Sequence, residues 1–206
     1  VRLLVIETAT AACSVALTEN GMLIDSRHEL VGRGHAERLV PMIAELPGGG
    51  RADRILVDCG PGSFTGVRVG LAAARGLGFG WGASVHGFSS LALIAAGAFA
   101  ADPALRVAFV AITGGHGELF VQRYAADPLR PETDLASLPP AAAAQASGAD
   151  FVIGSGAAVL LAARGDASGG ERHPEAAHIL SMPAALCDLP PSPIYGRAPD
   201  AKPSAA

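Results

Sequence analysis

Apolar side chains follow two alternating rhythms along this chain, short unbroken runs and three-to-four-residue spacings. Residues 2–6 (RLLVI) form a short apolar run closed by small and hydroxylated residues, which predicts a buried strand. Residues 13–18 (CSVALT) and 22–27 predict two further strands, joined by Glu19-Asn20-Gly21; Asn-Gly is a strong hairpin signal. In GHAERLVPMIAEL, Ala36, Leu39, Val40, Ile43 and Leu46 recur at helical spacing. Pro41 removes a backbone donor there, so the helix either kinks at Pro41 or has its regular part start near it. Gly48-Gly49-Gly50 ends it. Residues 54–58 (RILVD) predict the next strand. The stretch CGPGSFTGVRVG at 59–70 then opens a helix to about Phe79, followed by a strand at 83–86 and an alanine-rich helix at 89–101.

The second half restarts the same way. Residues 106–112 and 118–124 read as strand, glycine-rich turn and strand, which suggests an internal duplication with halves at 1–101 and 102–206. Residues 127–145 read as loop and short helix, 151–153 as a strand, 157–163 as a helix, 165–174 as a surface loop and 175–186 as a helix. The proline-rich end carries few helix or strand signals. Alternating strands and helices make the chain α/β.

Composition narrows the partners. Half of the 206 residues are hydrophobic, 17% are charged and the net charge is -4, with the arginines scattered. That fits a folded globular chain and argues against a protein that grips nucleic acid by itself. Cys13, Cys59 and Cys187 are far apart and form no C-x-x-C, which fits a reducing compartment. Glu7 interrupts the first apolar run after four residues, so a first strand is expected rather than a signal peptide. The uncharged stretch between Arg75 and Asp102 is broken by glycines, serines and His86, and predicts buried elements rather than a membrane span. A cytoplasmic location is expected.

The glycine-rich stretch resembles a phosphate loop only at first sight. A Walker loop needs a lysine, and the single lysine is Lys202. The dinucleotide fingerprint needs a third glycine where Thr65 stands. The helix behind it is more informative: Gly66, Gly70, Ala74 and Gly78 recur every four residues and leave one side nearly bare. Each mid-helix glycine costs about 1 kcal/mol relative to alanine. Something must therefore approach closely, either this chain's own sheet or neighbouring helix, or a helix of another subunit. Ser63 or Thr65 is the expected N-cap.

The stretches LLVIETATAACSVAL, GHAERLVPMI, GPGSFTGVRVGLAAARGL and PIYGRAPDAKP together resemble the TsaB (YeaZ) family of bacteria. The resemblance covers most of the chain in the expected order, and GPGSFTG followed by V-R-x-G and small residues is its most specific part. It implies an actin/Hsp70/sugar-kinase-like (ASKHA) fold of two related halves. It also implies a non-catalytic subunit that binds and activates a TsaD-like threonylcarbamoyltransferase, in the pathway that makes threonylcarbamoyladenosine beside the anticodon of tRNA. The implied partners are the TsaD-like subunit and a TsaE-like ATPase, with a TsaC-like enzyme supplying the adenylate donor. The chain would form a homodimer when alone and meet tRNA only through the complex. It would hold no cofactor of its own, with ATP or ADP at the joint interface. In the family the helices after the GH and GPGSFTG motifs form the subunit interface, which here places His35, Leu39, Ile43, Gly62, Phe64, Gly66, Arg68, Gly70 and Ala74 there and assigns the bare stripe to a partner. On that reading Gly70→Arg blocks the complex and leaves the fold intact.

The alternative is a free-standing ATP-dependent enzyme on the same fold. A phosphate-binding first hairpin is normally D-x-G-[ST], with glycine giving the backbone its approach. Here the turn is Glu7-Thr8-Ala9-Thr10, and the family usually has Asp at the first position. The H-x-x-x-H metal pair of TsaD-like catalysts is not formed: Leu39 stands four residues after His35, and His173 and His178 are five apart. His35 is expected to cap or pack near the start of its helix. Glu7 and Asp58 are a candidate carboxylate pair, with solvated strand-end acids the favoured reading. Thr113-Gly114-Gly115-His116-Gly117 departs from the family's Asp-Ala-Arg, and Gly154-Ser155-Gly156 resembles an adenosine-site turn. Ser63 does not lie in G-x-S-x-G, so a serine nucleophile is unsupported.

Overall fold

The computed structural model describes residues 1–196; the predicted motif residues 197–206 lie outside the described residues. The first half forms β1 (Arg2–Glu7), β2 (Ala12–Glu19), β3 (Met22–Leu30), α1 (His35–Ala44), β4 (Arg54–Asp58), α2 (Phe64–Trp81), β5 (Ser84–Phe88) and α3 (Ser90–Ala101). These strands make one mixed sheet in the order β3-β2-β1-β4-β5. β1 runs antiparallel to β2 and parallel to β4, and β4 parallel to β5. The hairpin between β2 and β3 turns at Asn20 and Gly21, both at positive φ (51° and 80°), as the Asn-Gly signal predicts.

The second half forms β6 (Val107–Thr113), β7 (Leu119–Ala126), β8 (Leu129–Pro131), β9 (Ala136–Leu138), α4 (Pro140–Ser147), β10 (Phe151–Ile153), α5 (Ala157–Arg164) and β11 (Gly169–Gly170). The second sheet has the order β11-β10-β6-β7-β8, with β9 also on β7. Its centre repeats the first: β6 and β7 are an antiparallel hairpin and β10 lies parallel to β6. Two mixed sheets flanked by helices are the arrangement the ASKHA resemblance implies.

Alternation along β1 and β4 divides the core. Leu4, Ile6, Ile55 and Val57 point to one side, where α1 and α2 cover them with Leu39, Met42, Ile43, Val67 and Leu71. Val5 and Leu56 point to the other side, against α3. That helix, SLALIAAGAFAA, also touches Ala108, Val110 and Ile112 of the second sheet. A helix buried between two sheets has no wet face, which explains an apolar composition all round. Among the described residues no helix is long and apolar enough to cross a membrane.

Three local expectations change. α1 begins at His35 and passes through Pro41, so its regular part does not start at the proline. The pyrrolidine stands on the exposed side of the helix, and the bond from Glu45 N to the Pro41 carbonyl is kept at 3.0 Å. The helix expected at 175–186 is two 3-10 turns, Ala176–Ser181 and Ala184–Leu186, separated by Pro183, which lacks the N–H a continuous helix would use. Short strands β8, β9 and β11 occupy stretches expected to be loop, where β7 and β10 offer free edges.

Candidate partner-binding face and the loop behind it

α2 starts at the loop at 59–63, where Ser63 caps it by accepting from Gly66 N at 3.1 Å, and ends at Gly82 with φ 68°. Its bare stripe faces inward. A Cβ on Gly66 would land on the Thr8 carbonyl oxygen, one on Gly70 on the Thr8 hydroxyl, and one on Gly78 on the Val85 side chain, while Ala74 is fully buried. The close neighbour is therefore this chain's own first sheet. This corrects the assignment of the stripe to a partner helix: Gly66, Gly70 and Ala74 are spent on holding α2 against β1.

The other expected interface residues divide likewise. Leu39 and Ile43 are core residues, and His35 is buried with Nε2 2.9 Å from the Ala12 carbonyl oxygen, as packing at a helix start predicts. Gly62 lies where a Cβ would strike the Ala9 carbonyl. Phe64 and Arg68 are the two that face outward. The Arg68 guanidinium stacks on the Phe64 ring, 3.3 Å from its centroid, and donates to the Tyr195 hydroxyl at 2.9 Å.

What α1 and α2 present outward is a different set. Val40 on α1 and Phe79 on α2 are exposed, Phe79 to 94%. Ala72, Gly76 and Gly80 form a second small stripe, exposed, and a Cβ on Gly76 or Gly80 would meet nothing within 4 Å. The inner glycines are explained by packing; these two are not explained by any contact among the described residues. Their four-residue spacing was in the sequence, but the inner stripe, longer and more regular, masked it. Beside this face lies a groove of about 390 Å³ lined by Gly32, Arg33, Ala36, Phe64, Thr65 and Val69.

The segment before Tyr195 straps the loop from behind. Ile194 N donates to the Cys59 carbonyl (2.7 Å), Gly87 and Leu189 exchange two backbone bonds, and Arg75 donates to the Pro191 carbonyl (2.6 Å). No propensity in a proline-rich stretch signals such long-range pairing.

Behind the loop sit Glu7 and Asp58, and both are fully buried, which corrects the reading of solvated strand-end acids. They follow the Ile6–Val57 pair on adjacent parallel strands. Ala9 N donates to Glu7 Oε1 at 2.7 Å; Gly60 N and Ser90 Oγ donate to Asp58 Oδ1 at 2.6 and 2.8 Å. Burial, then the neighbouring Asp58 charge, holds the Glu7 carboxyl well above the usual range, and burial pushes Asp58 up to about 7.

The turn that would face a phosphate is itself covered. Thr8 and Ala9 are buried, Ser63 N donates to the Ala9 carbonyl at 2.7 Å, and His173 Nδ1 lies 3.2 Å from Thr10 Oγ1. His178 is elsewhere, against Gly97 of α3. No group of three metal-ligating side chains occurs among the described residues. Gly154-Ser155-Gly156 is tied to the end of β6, with Gly156 N donating to the Ala111 carbonyl and Thr113 Oγ1 to the Ser155 carbonyl. Cys13, Cys59 and Cys187 are buried free thiols; burial pushes Cys13 up to about 12 and Cys59 to about 11, which keeps both thiols protonated and unreactive.

Comparison with known proteins places this arrangement. Residues 26–130, just over half of the chain, match the model of the family TsaD: tRNA N6-adenosine threonylcarbamoyltransferase. The chain is 39% identical over 131 residues to the tRNA threonylcarbamoyladenosine biosynthesis protein TsaB of Escherichia coli, covering 61% of this chain and 56% of that protein. It is 43% identical over 104 residues to TsaB of Haemophilus influenzae, covering 47% of this chain and 43% of that protein. The chain thus spans about half the length of the curated relatives it matches. The solved structure of YeaZ from Pseudomonas aeruginosa superposes with a TM-score of 0.81 at 28% identity, over 94% of this chain and 99% of that one. Sequence motifs, family model and fold agree: the chain belongs to the TsaB (YeaZ) family, related to TsaD.

Proposed function

We propose that this chain works in tRNA threonylcarbamoyladenosine biosynthesis as a non-catalytic subunit that binds and activates a TsaD-like threonylcarbamoyltransferase. The pathway comes from the TsaB relatives, named for it. The observation that carries the binding role is the outward face of α1 and α2. It combines exposed Val40 and Phe79 with glycines at 76 and 80 that no neighbour among the described residues requires. Exposed mid-helix glycine is a cost that close approach of another backbone offsets. The contact set therefore moves from the inner stripe to Val40, Phe64, Arg68, Ala72, Gly76 and Phe79. On the same reading a second copy uses this face when the partner is absent, a TsaE-like ATPase joins the complex, ATP or ADP is held at the joint interface, tRNA is met through the complex, and the work is done in the cytoplasm.

The phosphate turn counts against the free-standing ATP-dependent enzyme. Its phosphate turn would be Glu7–Thr10, where Thr8 and Ala9 lie buried under the Gly62–Gly66 stretch. Two titrations separate the readings. The purified chain is titrated by calorimetry with a TsaD-like protein and, separately, with ATP and Mg²⁺. The proposal expects saturable binding of the protein and no ATP turnover by the chain alone; ATP turnover without the protein partner would replace it with the enzyme reading.

A further inference from the structure

Two acids on adjacent strands, both sealed from water, require an account of their charge. Glu7 and Asp58 are 0% exposed, and parallel neighbours in one sheet stand about 4.8 Å apart. Each has one oxygen satisfied by the main chain, Glu7 Oε1 by Ala9 N and Asp58 Oδ1 by Gly60 N. The other two, Glu7 Oε2 and Asp58 Oδ2, are buried and have no hydrogen-bond partner. No guanidinium or imidazole bonds to either carboxylate among the described residues. The groups nearby are neutral or weakly acidic: Cys13 on β2, which feels the Glu7 charge, Cys59 beyond β4, which feels Asp58, the Ser90 hydroxyl on α3, and Thr10, which separates the pair from His173. Two like charges this close in a dry site cannot both persist, and two orphaned acceptors are what one bridging proton would satisfy.

We propose that Glu7 and Asp58 hold one proton between Glu7 Oε2 and Asp58 Oδ2, and that this proton latches the loop at 59–63 to the turn at 8–10. The geometry couples the pair to both segments. Asp58 Oδ1 accepts from Gly60 N, and Ser90 Oγ lies 2.8 Å from that oxygen and 2.9 Å from the Pro61 carbonyl. Glu7 Oε1 accepts from Ala9 N, and the Ala9 carbonyl accepts from Ser63 N, the cap of α2. Loss of the proton to solvent leaves two carboxylates facing each other at the point where these bonds converge. The start of α2 then loosens, so the latch is a pH-sensitive element built into the fold, independent of any partner.

The sign follows from proton counts. The unfolded chain ionises both acids near pH 4. The folded chain keeps one proton until the pair's upper step, so its stability falls as pH rises from the ordinary carboxylate range through that step. The Asp58 charge raises Glu7 further, so Glu7 keeps the last proton, and the window runs from about pH 5 through the Asp58 step at about 7 and on through the Glu7 step above it. His178, lowered by burial, acts with the opposite sign below about pH 6.5, and the raised cysteines act only above about pH 8.5.

Glu7→Gln and Asp58→Asn each remove one of the two titrating groups and supply an N–H in its place. The test is urea unfolding of the isolated chain and both variants across that window, with infrared difference spectra of the folded wild type. The expected result is an unfolding constant that rises by up to about tenfold per pH unit more steeply in the wild type than in either variant. A protonated-carboxyl band should persist at neutral pH and weaken in both variants. Faster exchange of the Gly60 amide at the upper end of the window should accompany it. Equal pH slopes in all three proteins, or a folded wild type with no protonated-carboxyl band at neutral pH, would overturn the proposal. The infrared arm decides the matter even where a variant does not fold.

Discussion

The Thr8 carbonyl oxygen occupies the place where a Cβ on Gly66 would stand. α2 is held against β1 by this contact and by the Thr8 hydroxyl, which donates to the Gly66 carbonyl at 2.8 Å. The first turn of the helix is thus fastened to the end of the central strand through backbone on both sides, and no side chain larger than hydrogen fits between them. Gly66→Ala should lower stability by at least about 1–3 kcal/mol, the usual range for overpacking. Gly70→Arg, which the partner-stripe reading expected to fold, should fail to fold, because it drives a cation into Thr8, Ile6 and Val57. Thermal unfolding of the two variants checks both; wild-type melting of Gly66→Ala would contradict the packing.

The outer glycines predict the reverse. Gly76→Ala and Gly80→Ala place methyl groups in open space within a helix, so each should raise stability, by up to about 1 kcal/mol. If a partner backbone approaches there, the same substitutions should weaken binding of a TsaD-like protein. Urea unfolding and a binding titration on one preparation read both effects. A gain in stability with unchanged affinity would remove these positions from the interface.

Phe79 offers a sharper separation. It is almost wholly exposed, so Phe79→Asp should leave melting within about 0.5 kcal/mol of wild type, as surface changes do. Binding should fall at least tenfold if the ring anchors the partner, since buried aromatic anchors dominate interfaces. Size-exclusion co-elution with a TsaD-like protein measures the loss, and wild-type co-elution would place the interface elsewhere.

Ser63 tests the loop. Its hydroxyl caps α2 and its amide bonds Ala9. Ser63→Ala keeps the amide bond and removes the cap, so a loss of about 1 kcal/mol is expected. Circular dichroism melting reads it; a loss of several kcal/mol would mean that the hydroxyl has a larger role than capping.

Sequence periodicity located α1, which has a dominant face, whereas α3 and the buried strands β1 and β2 were legible from unbroken apolar runs. It also established that the Gly66, Gly70, Ala74, Gly78 stripe must meet something close. It could not say what, because a bare helix side looks the same whether a strand of its own sheet or another chain lies against it. Burial of Glu7 and Asp58 was hidden for a related reason. A strand-end acid reads as solvated unless the covering segments are known, and here these are Ser90 and the loop at 59–63, distant in sequence from Glu7. The strap at 187–195 left little local signal, since the bonds that fix its place go to Cys59, Gly87, Arg54 and Arg75, distant in sequence.

The most direct test of the proposed role is an omission assay. Unmodified tRNA, threonine, bicarbonate, ATP and TsaC-, TsaD- and TsaE-like proteins are combined with and without this chain, and threonylcarbamoyladenosine in the tRNA is scored. The account predicts product only when the chain is present, with no ATP turnover by the chain alone. Equal product without the chain would contradict it.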